Sequence, residues 1–332
     1  MTRLLFPLLI FLTSCQEKKT SSTPIEQGEL IPIKAERPLM GTLFRITIYT
    51  DELKEGYLAM EEAFDLAEKF GDRATDYHPD SELNKLTRSP LNTPIKVSEK
   101  LFQVLLLGQK LAAQSDGIFD PTYGPLTHLW RTARRTDLIP SPEEIAEARP
   151  RCGIHHLRFD EKNQSITVLR HDLQLDLGGI AKGFAADLIF DHLHEQGFSI
   201  SLVTAGGDLR IGDPPPEKKG WAIGLKTFRL TPTSSISLKN CAVSTSGDLY
   251  QNIISEGKKY SHLIDHRTGL GLTTLRAASI ILPEAKLTDP LATIACLSDD
   301  PKSLLQHYPK ASIRVIYEDR EIPPITTGIF TQ

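Results

Sequence analysis

The sequence predicts an α+β fold with mixed or antiparallel sheets flanked by helices. Three observations lead there. Segments of helical and strand periodicity are interspersed without a regular β-α-β alternation, which disfavours a doubly wound parallel sheet. Gly269-Leu-Gly271 lacks a third glycine and follows no convincing βαβ unit, so a Rossmann site is disfavoured too. Residues 38 to 332 suffice for a large core in one or two lobes, and the whole chain's 40% hydrophobic composition is ordinary for a globular protein.

The chain opens with Met1-Thr-Arg, an apolar run from Leu4 to Leu12 and small residues before Cys15, the pattern of a signal peptide over residues 1–14. Leu12-Thr-Ser-Cys15 resembles a bacterial lipobox, which would make Cys15 the lipidated first residue of the mature protein. The expected place is the bacterial cell envelope, lipid-anchored and facing the periplasm or another extracytoplasmic surface. Gln16 to about Arg37 is polar and mixed in charge, and reads as a flexible tether.

Leu43 to Tyr49 alternates as a half-buried strand, and a helix follows from about Lys54 to Phe70, with Leu58, Phe64 and Ala67 at helical spacing. The loop Asp72 to Glu82 carries Tyr77. A strongly apolar helix starts after Ser98, its N-cap, and ends near Ser115-Asp-Gly117. Pro121 to Thr136 reads as an irregular connection into a short helix, which Ser141 and Glu144 open with a capping box. Leu157–Asp160 and Ile166–Leu169 form a hairpin around Lys162-Asn-Gln164. A strand at Leu173–Leu177 then turns through glycines into a helix from about Ile180 to Gln196, stopped by Gly197. Short strands are expected near Ile200–Val203, Trp221–Leu225, Ile236–Leu238, Ala242–Ser244, Tyr260–Ile264, Ala278–Leu282 and Ser312–Tyr317. Helices after Thr288 and Pro301 complete the chain.

With 38 basic and 42 acidic residues the net charge is -4, which argues against nucleic acid as a partner. If Cys15 is acylated, Cys152, Cys241 and Cys296 remain, without Cys-x-x-Cys spacing, so neither a disulfide framework nor structural zinc is implied.

Asp176-Leu-Gly-Gly-Ile-Ala-Lys-Gly183 carries the most chemistry. Its glycines admit anionic oxygens to main-chain N–H groups, the helix start adds partial positive charge, and Lys182 adds a full one, an arrangement suited to phosphate. Asp289 and Thr293, four apart, share one helix face and offer two hard oxygens suited to Mg2+. The plainer reading makes Asp289 an N-terminal helix residue and Thr293 a surface position. A net-acidic chain that binds a pyrophosphate needs local positive charge, which makes a metal physically reasonable. Ala205-Gly-Gly-Asp208, Ser244-Thr-Ser-Gly-Asp248, His262-Leu-Ile-Asp-His-Arg-Thr-Gly269 and Thr288-Asp-Pro-Leu-Ala-Thr293 follow in order, after Met40-Gly-Thr42 and Gly117-Ile-Phe-Asp120.

In order and spacing these motifs resemble the ApbE family of FAD:protein FMN transferases, over about residues 37 to 331. The resemblance implies an ApbE-like (T-fold-like) fold with an FAD cleft between lobes. It implies that Asp289, Thr293 and the carbonyl of Gly179 hold Mg2+. Ile118, Phe119 and Asp120 align with an FAD-contacting segment, Met40 and Tyr77 match positions lining flavin or adenine, and Ile264 joins them. Asp176 resembles the flavin-site carboxylate, although capping its own turn is an equally physical role. Lys182 would meet the diphosphate. His262 is singled out as the general base, since imidazole titrates near neutrality and can take the proton of an attacking hydroxyl.

The implied reaction is Mg2+-dependent transfer of FMN from FAD to a Thr or Ser hydroxyl of another flavoprotein, with release of AMP. Acceptors would be membrane redox subunits or secreted flavoproteins bearing Asp-x-x-Ser/Thr-Gly-Ala-Ser/Thr. The alternatives are an FAD pyrophosphatase that uses water and a non-catalytic FAD-binding lipoprotein. The chain's own Asp265-His-Arg-Thr-Gly-Leu270 has leucine where the acceptor motif has alanine, so Thr268 is not expected to carry FMN. Two positions depart from the family pattern. His266 stands where proline is usual, and Pro290 where alanine is usual; Pro290 would be tolerated at the first helical position, just after Asp289.

Overall fold

The computed structural model describes residues 28–225, 234–247, 252–255 and 257–331. Cys15, the leader and most of the tether lie outside the described residues, as does Asp248.

An eight-stranded sheet runs in the order 31–39, 42–50, 201–205, 208–211, 241–247, 276–282, 312–317 and 325–326, with every neighbouring pair antiparallel. Helices α1 (Leu53–Ala74), α6 (Ala181–Glu195) and α7 (Ala285–Leu297) cover one face. The hairpin Trp221–Leu225/Ser234–Leu238 covers part of the other. Both faces are therefore apolar at the centre. All seven residues of Arg276–Leu282 are buried, and along the paired strand Ala242 joins the helix-side core while Val243 and its partner Ile281 pack under Trp221 and Ile223.

A second antiparallel sheet, ordered Pro94–Lys96, Ser165–Val168, Leu157–Asp160, sits in the same contiguous core. Helices α2 (Glu82–Thr87) and α3 (Glu99–Gln114) pack against it, while α4 (Gly124–Thr136) and α5 (Pro142–Ala148) pack against each other. The capping box expected at Ser141 and Glu144 is present, at 3.2 and 2.8 Å. Gly197 ends α6 in the left-handed region, with the Phe198 N–H returning to the Leu193 carbonyl at 2.9 Å.

Several segments differ from the sequence expectation. A strand begins at Ile31, inside the stretch read as tether to Arg37. Its odd positions do face inward, but Ala35 and Arg37 hide the alternation. Arg37 holds its guanidinium carbon 5.1 Å from the Phe64 ring centroid and pairs with Glu61, Asp65 and Glu68 of α1. In α1 itself, Leu58 faces solvent. Leu173–Leu177 is extended but joins no sheet: its leucines are buried, and the Asp176 N–H donates to the Pro121 carbonyl at 2.8 Å.

Gly124–Thr136 is a full helix where an irregular connection was expected. Gly124-Pro125 reads as a turn, yet both residues occupy its first turn, where proline's missing N–H costs nothing. Helix α7 begins at Ala285, so Pro290 lies inside it rather than at its start. The early start has a tertiary cause: the buried Asp187 carboxylate on α6 accepts from Ala285 N at 3.0 Å and Lys286 N at 2.8 Å.

Candidate active site

A cavity of about 800 Å³ opens where the end of the large sheet meets α4, α6 and α7. That volume falls in the roughly 300–1,000 Å³ range of small-molecule sites. Most of the residues singled out in the sequence line it: Tyr77, Ile118, Phe119, Asp120, Asp176, Gly179, Lys182, His262, Ile264, Asp289 and Thr293. Met40 is placed elsewhere. It sits at φ 50° in the turn between Ile31–Leu39 and Thr42–Thr50, lines a separate hollow made by residues 38–43, and packs against Gly71 of α1.

Lys182 is the electrostatic centre. It is the second residue of α6, and its Nζ lies 2.9 Å from Asp208 Oδ2 and 3.1 Å from Asp289 Oδ2. Both carboxylates are buried. Burial alone would push the ammonium down, but the Asp208 and Asp289 charges hold it above its ordinary value. Burial raises the Asp289 carboxyl, the Asp208 charge raises it further, and Lys182 and the Gly183 N–H oppose them. Two carboxylates thus converge on one ammonium, which leaves negative charge in excess.

Local sequence explains each placement. Gly206-Gly207 forms a two-residue turn, with Ala205 pairing Asp208 and Gly206 at φ 65°, so Asp208 enters the next strand at the cavity edge. Sequence reasoning missed Asp208: it stands in the Ala205-Gly-Gly-Asp208 motif, but no role was given to it. The usable signal was an acid directly after a glycine turn. Hydroxyls tie α7 to the strand Cys241–Gly247: Ser244 Oγ and Thr288 Oγ1 are 2.8 Å apart, and Ser246 Oγ and Thr293 Oγ1 are 3.4 Å apart.

On the opposite wall, Asp176 does cap its turn: Oδ1 accepts from Gly178 N at 2.7 Å. Its other oxygen accepts from Arg131 of α4 at 2.7 Å, a partner the sequence reading did not name. The Phe119 ring packs against the Gly179 backbone, where a Cβ would fall 3.1 Å from the ring. Asp120 is fully engaged within the protein, accepting from Thr122 N and Oγ1 at 2.8 and 2.7 Å and from Ile154 N at 2.7 Å, and burial raises its carboxyl. Its carboxylate shapes the wall that Ile118 and Phe119 present.

His262 lies half-buried between the strands Lys258–Ser261 and Ile264–Asp265 and faces the cavity. Asp265, three residues on, organises the following turn, accepting from Arg267 N at 2.9 Å and from the Arg267 guanidinium at 2.9 and 3.0 Å. Burial would raise its carboxyl, but Arg267 holds it below the ordinary range. Thr268 is exposed, and its hydroxyl accepts from Leu270 N at 3.1 Å. Cys152, Cys241 and Cys296 are free thiols.

Residues 40–313 match the model of the ApbE family. The FAD:protein FMN transferase of Chlamydia muridarum is 28% identical over 321 residues, 95% of this chain and 97% of that protein. The protein of the same name from Chlamydia trachomatis is 32% identical over 70% of this chain and 76% of its own length. Among solved structures, the ApbE protein of Thermotoga maritima superposes with a TM-score of 0.79 at 28% identity, covering 91% of this chain and 98% of that one. The flavin transferase ApbE of Vibrio cholerae superposes with a TM-score of 0.80 at 23% identity, over 91% of this chain and 99% of that one. The antiparallel α+β architecture, the ordered glycine and aspartate turns around one cavity, and these matches lead to one conclusion: the chain belongs to the ApbE family.

Proposed function

We propose that this protein is an FAD:protein FMN transferase that moves FMN from FAD onto a Thr or Ser hydroxyl of another flavoprotein and releases AMP. One observation carries the reading: the Lys182 ammonium, at the start of α6, is held between Asp208 and Asp289 in the cavity that His262 also lines. Relatives spanning nearly the whole chain bear that name.

The acceptor oxygen forms a bond to the flavin-side phosphorus, the bond from that phosphorus to the bridging oxygen breaks, and AMP leaves with the bridging oxygen. The acceptor's hydroxyl proton passes to the His262 imidazole. Lys182 and the α6 N-terminus hold the phosphate oxygens. The buried acid pair, with its surplus negative charge, and the adjoining hydroxyls suit a hard divalent cation. The donors there are oxygens of mixed type, the Asp208 and Asp289 carboxylates with the Thr293 hydroxyl, and oxygen donors suit a hard ion better than a soft one. Asp289, Thr293 and the Gly179 carbonyl would hold Mg2+, with Asp208 beside them. Bound there, Mg2+ supplies charge neutralisation at the pyrophosphate.

The acceptor, in this reading, carries Asp-x-x-Ser/Thr-Gly-Ala-Ser/Thr. Incubation with FAD, Mg2+ and such a protein should give an in-gel fluorescent band that disappears when the acceptor Thr is replaced. Free FMN without a band would favour the pyrophosphatase, and tight FAD binding without AMP release the storage protein. His262→Ala should lower AMP release about 10²–10⁴-fold, the usual worth of a general base, with FAD affinity nearly unchanged. Unaltered turnover would remove His262 from the reaction.

Protons and Mg2+ compete for Asp289. Its carboxyl is raised in the folded protein, so Mg2+ affinity should begin to fall at a higher pH than an exposed aspartate would give, and keep falling as pH drops. Calorimetric titration across acidic pH checks this, and an affinity flat down to the ordinary carboxylate range would refute it.

The anchoring proposal rests on Leu12-Thr-Ser-Cys15, since no helix of the described residues is long and apolar enough to cross a membrane. Cys15→Ser should move the protein from the membrane to the soluble fraction and abolish palmitate labelling in a bacterial host. Labelling that persists would exclude Cys15.

A further inference from the structure

The transfer step above leaves unused a largely buried guanidinium that spans one wall of the cavity. Arg131, on α4, is 18% exposed and donates to two carboxylates, Asp76 and, at 2.7 Å, Asp176 Oδ2. Its guanidinium carbon also stands 4.6 Å from the centroid of the Tyr77 ring. Asp76 is held in turn by His128, whose Nε2 lies 2.9 Å away on the same helix. Asp176 fixes the Gly178 N–H at 2.7 Å.

Two segments far apart in sequence therefore meet on one side chain. The loop after α1 carries Asp76 and Tyr77, and the glycine turn before α6 carries Asp176, Gly178 and Gly179. Tyr77 is 72% exposed, so little else confines its ring. A planar guanidinium can serve two carboxylates along its edge and an aromatic ring on its face at once, whereas a lysine ammonium is a point charge with no such face. Burial pulls the Arg131 pKa down, but Asp176 and Asp76 hold it above its ordinary value, which keeps the bridge charged.

We propose that Arg131 is a positioning residue for FAD: it holds the Tyr77 ring as a preset stacking face and, through Asp176, sets the glycine turn that meets the phosphates. The inference rests on the FMN-transfer reading. It assigns a role to α4, whose arginines the motifs of the chain do not include.

Arg131→Lys keeps the charge and loses the two-edged bridge. Arg131→Ala opens a hole that free guanidinium can enter. FAD affinity is measured by flavin fluorescence titration, with kcat and KM for AMP release alongside. Outer partners of ligand-holding groups are worth about 10–100-fold, and a loss of that size in FAD affinity is expected in both variants. It should appear mainly in KM, the lysine variant should be nearly as impaired as the alanine one, and guanidinium chloride should restore the alanine variant toward native affinity. Native FAD affinity in Arg131→Lys overturns the inference. So does an alanine variant that melts like the native protein and ignores guanidinium; if that variant fails to fold, the lysine variant decides alone. A native protein that transfers no FMN refutes the functional reading and leaves the FAD-affinity comparison intact.

Discussion

Asp289→Asn is expected to abolish AMP release from FAD while leaving the protein as stable as the native chain, or slightly more so. Asp289 is buried beside Asp208, and its carboxyl is raised by that burial and by the neighbouring charge. The sign follows from linkage. A carboxyl with a folded pKa above its unfolded value contributes stability that is fully present at low pH and is lost as pH rises through the folded value, so the ionised group is held at a cost near neutrality. Asparagine removes that ionisation. It keeps an oxygen for the Gly183 N–H, which now donates to Asp289 Oδ2 at 3.2 Å, and it leaves Lys182 paired with Asp208 at 2.9 Å. Turnover should suffer in the opposite sense, because the negative charge that favours the divalent ion is gone. Losing several kcal/mol of charge stabilisation at the pyrophosphate corresponds to on the order of 10³-fold or more in rate. Thermal melting and AMP release on the same sample check both halves. A variant that keeps its turnover would take Asp289 out of the site, and one that unfolds would make the residue structural.

Gly183→Ala should damage stability and turnover together. A Cβ at this position would meet the Ala285 carbonyl oxygen at 2.2 Å and the Asp289 Cβ at 2.9 Å. The first obstacle is backbone, so α6 and α7 must move apart. Alanine's better helix propensity, worth about 1 kcal/mol, is gained at the same site. It is outweighed by overpacking, about 1–3 kcal/mol for inserted methylenes in tight cores and at its upper end against backbone. The separation also draws Lys182 away from Asp289, and misplacement by about 1 Å can cost roughly 10²-fold in rate. A lower denaturant midpoint and a kcat/KM reduced by about that factor are expected. Native values for both would show that the helix contact tolerates a methyl group.

These contrasting outcomes mirror what could be read from sequence. Lys182 and Gly179 were visible because a glycine turn beside an acid or a lysine is a local signal, independent of the rest of the fold; the same signal at Gly206-Gly207 and Asp208 went unused. Asp289 and Thr293 were visible through their spacing, yet the helix that carries them starts earlier than its proline suggests. The reason is Asp187, a cap supplied by another helix and therefore invisible in the local sequence. Arg131 and the helix around it were missed for a similar reason. Gly124-Pro125 looks like a turn, and α4 buries its Trp130 and Ala133 against a hairpin that is distant in sequence, including Ile253. Met40 matches a motif as well, yet the turn conformation packs its side chain against Gly71 of α1 and not into the cavity.

The edge strand Ile31–Leu39 has a mechanical consequence. Ile31 lies opposite Thr50 at the open end of a hairpin that Leu39 and Thr42 close. Tension drawn through the N-terminus would open this ladder one rung at a time, as a zip opens, instead of shearing all its bonds together. The buried Ile33 and then the pairs of Arg37 with three acids on α1 resist along that route. No residue lining the cavity belongs to the strand, so the chemistry lies behind the part of the molecule that gives way first.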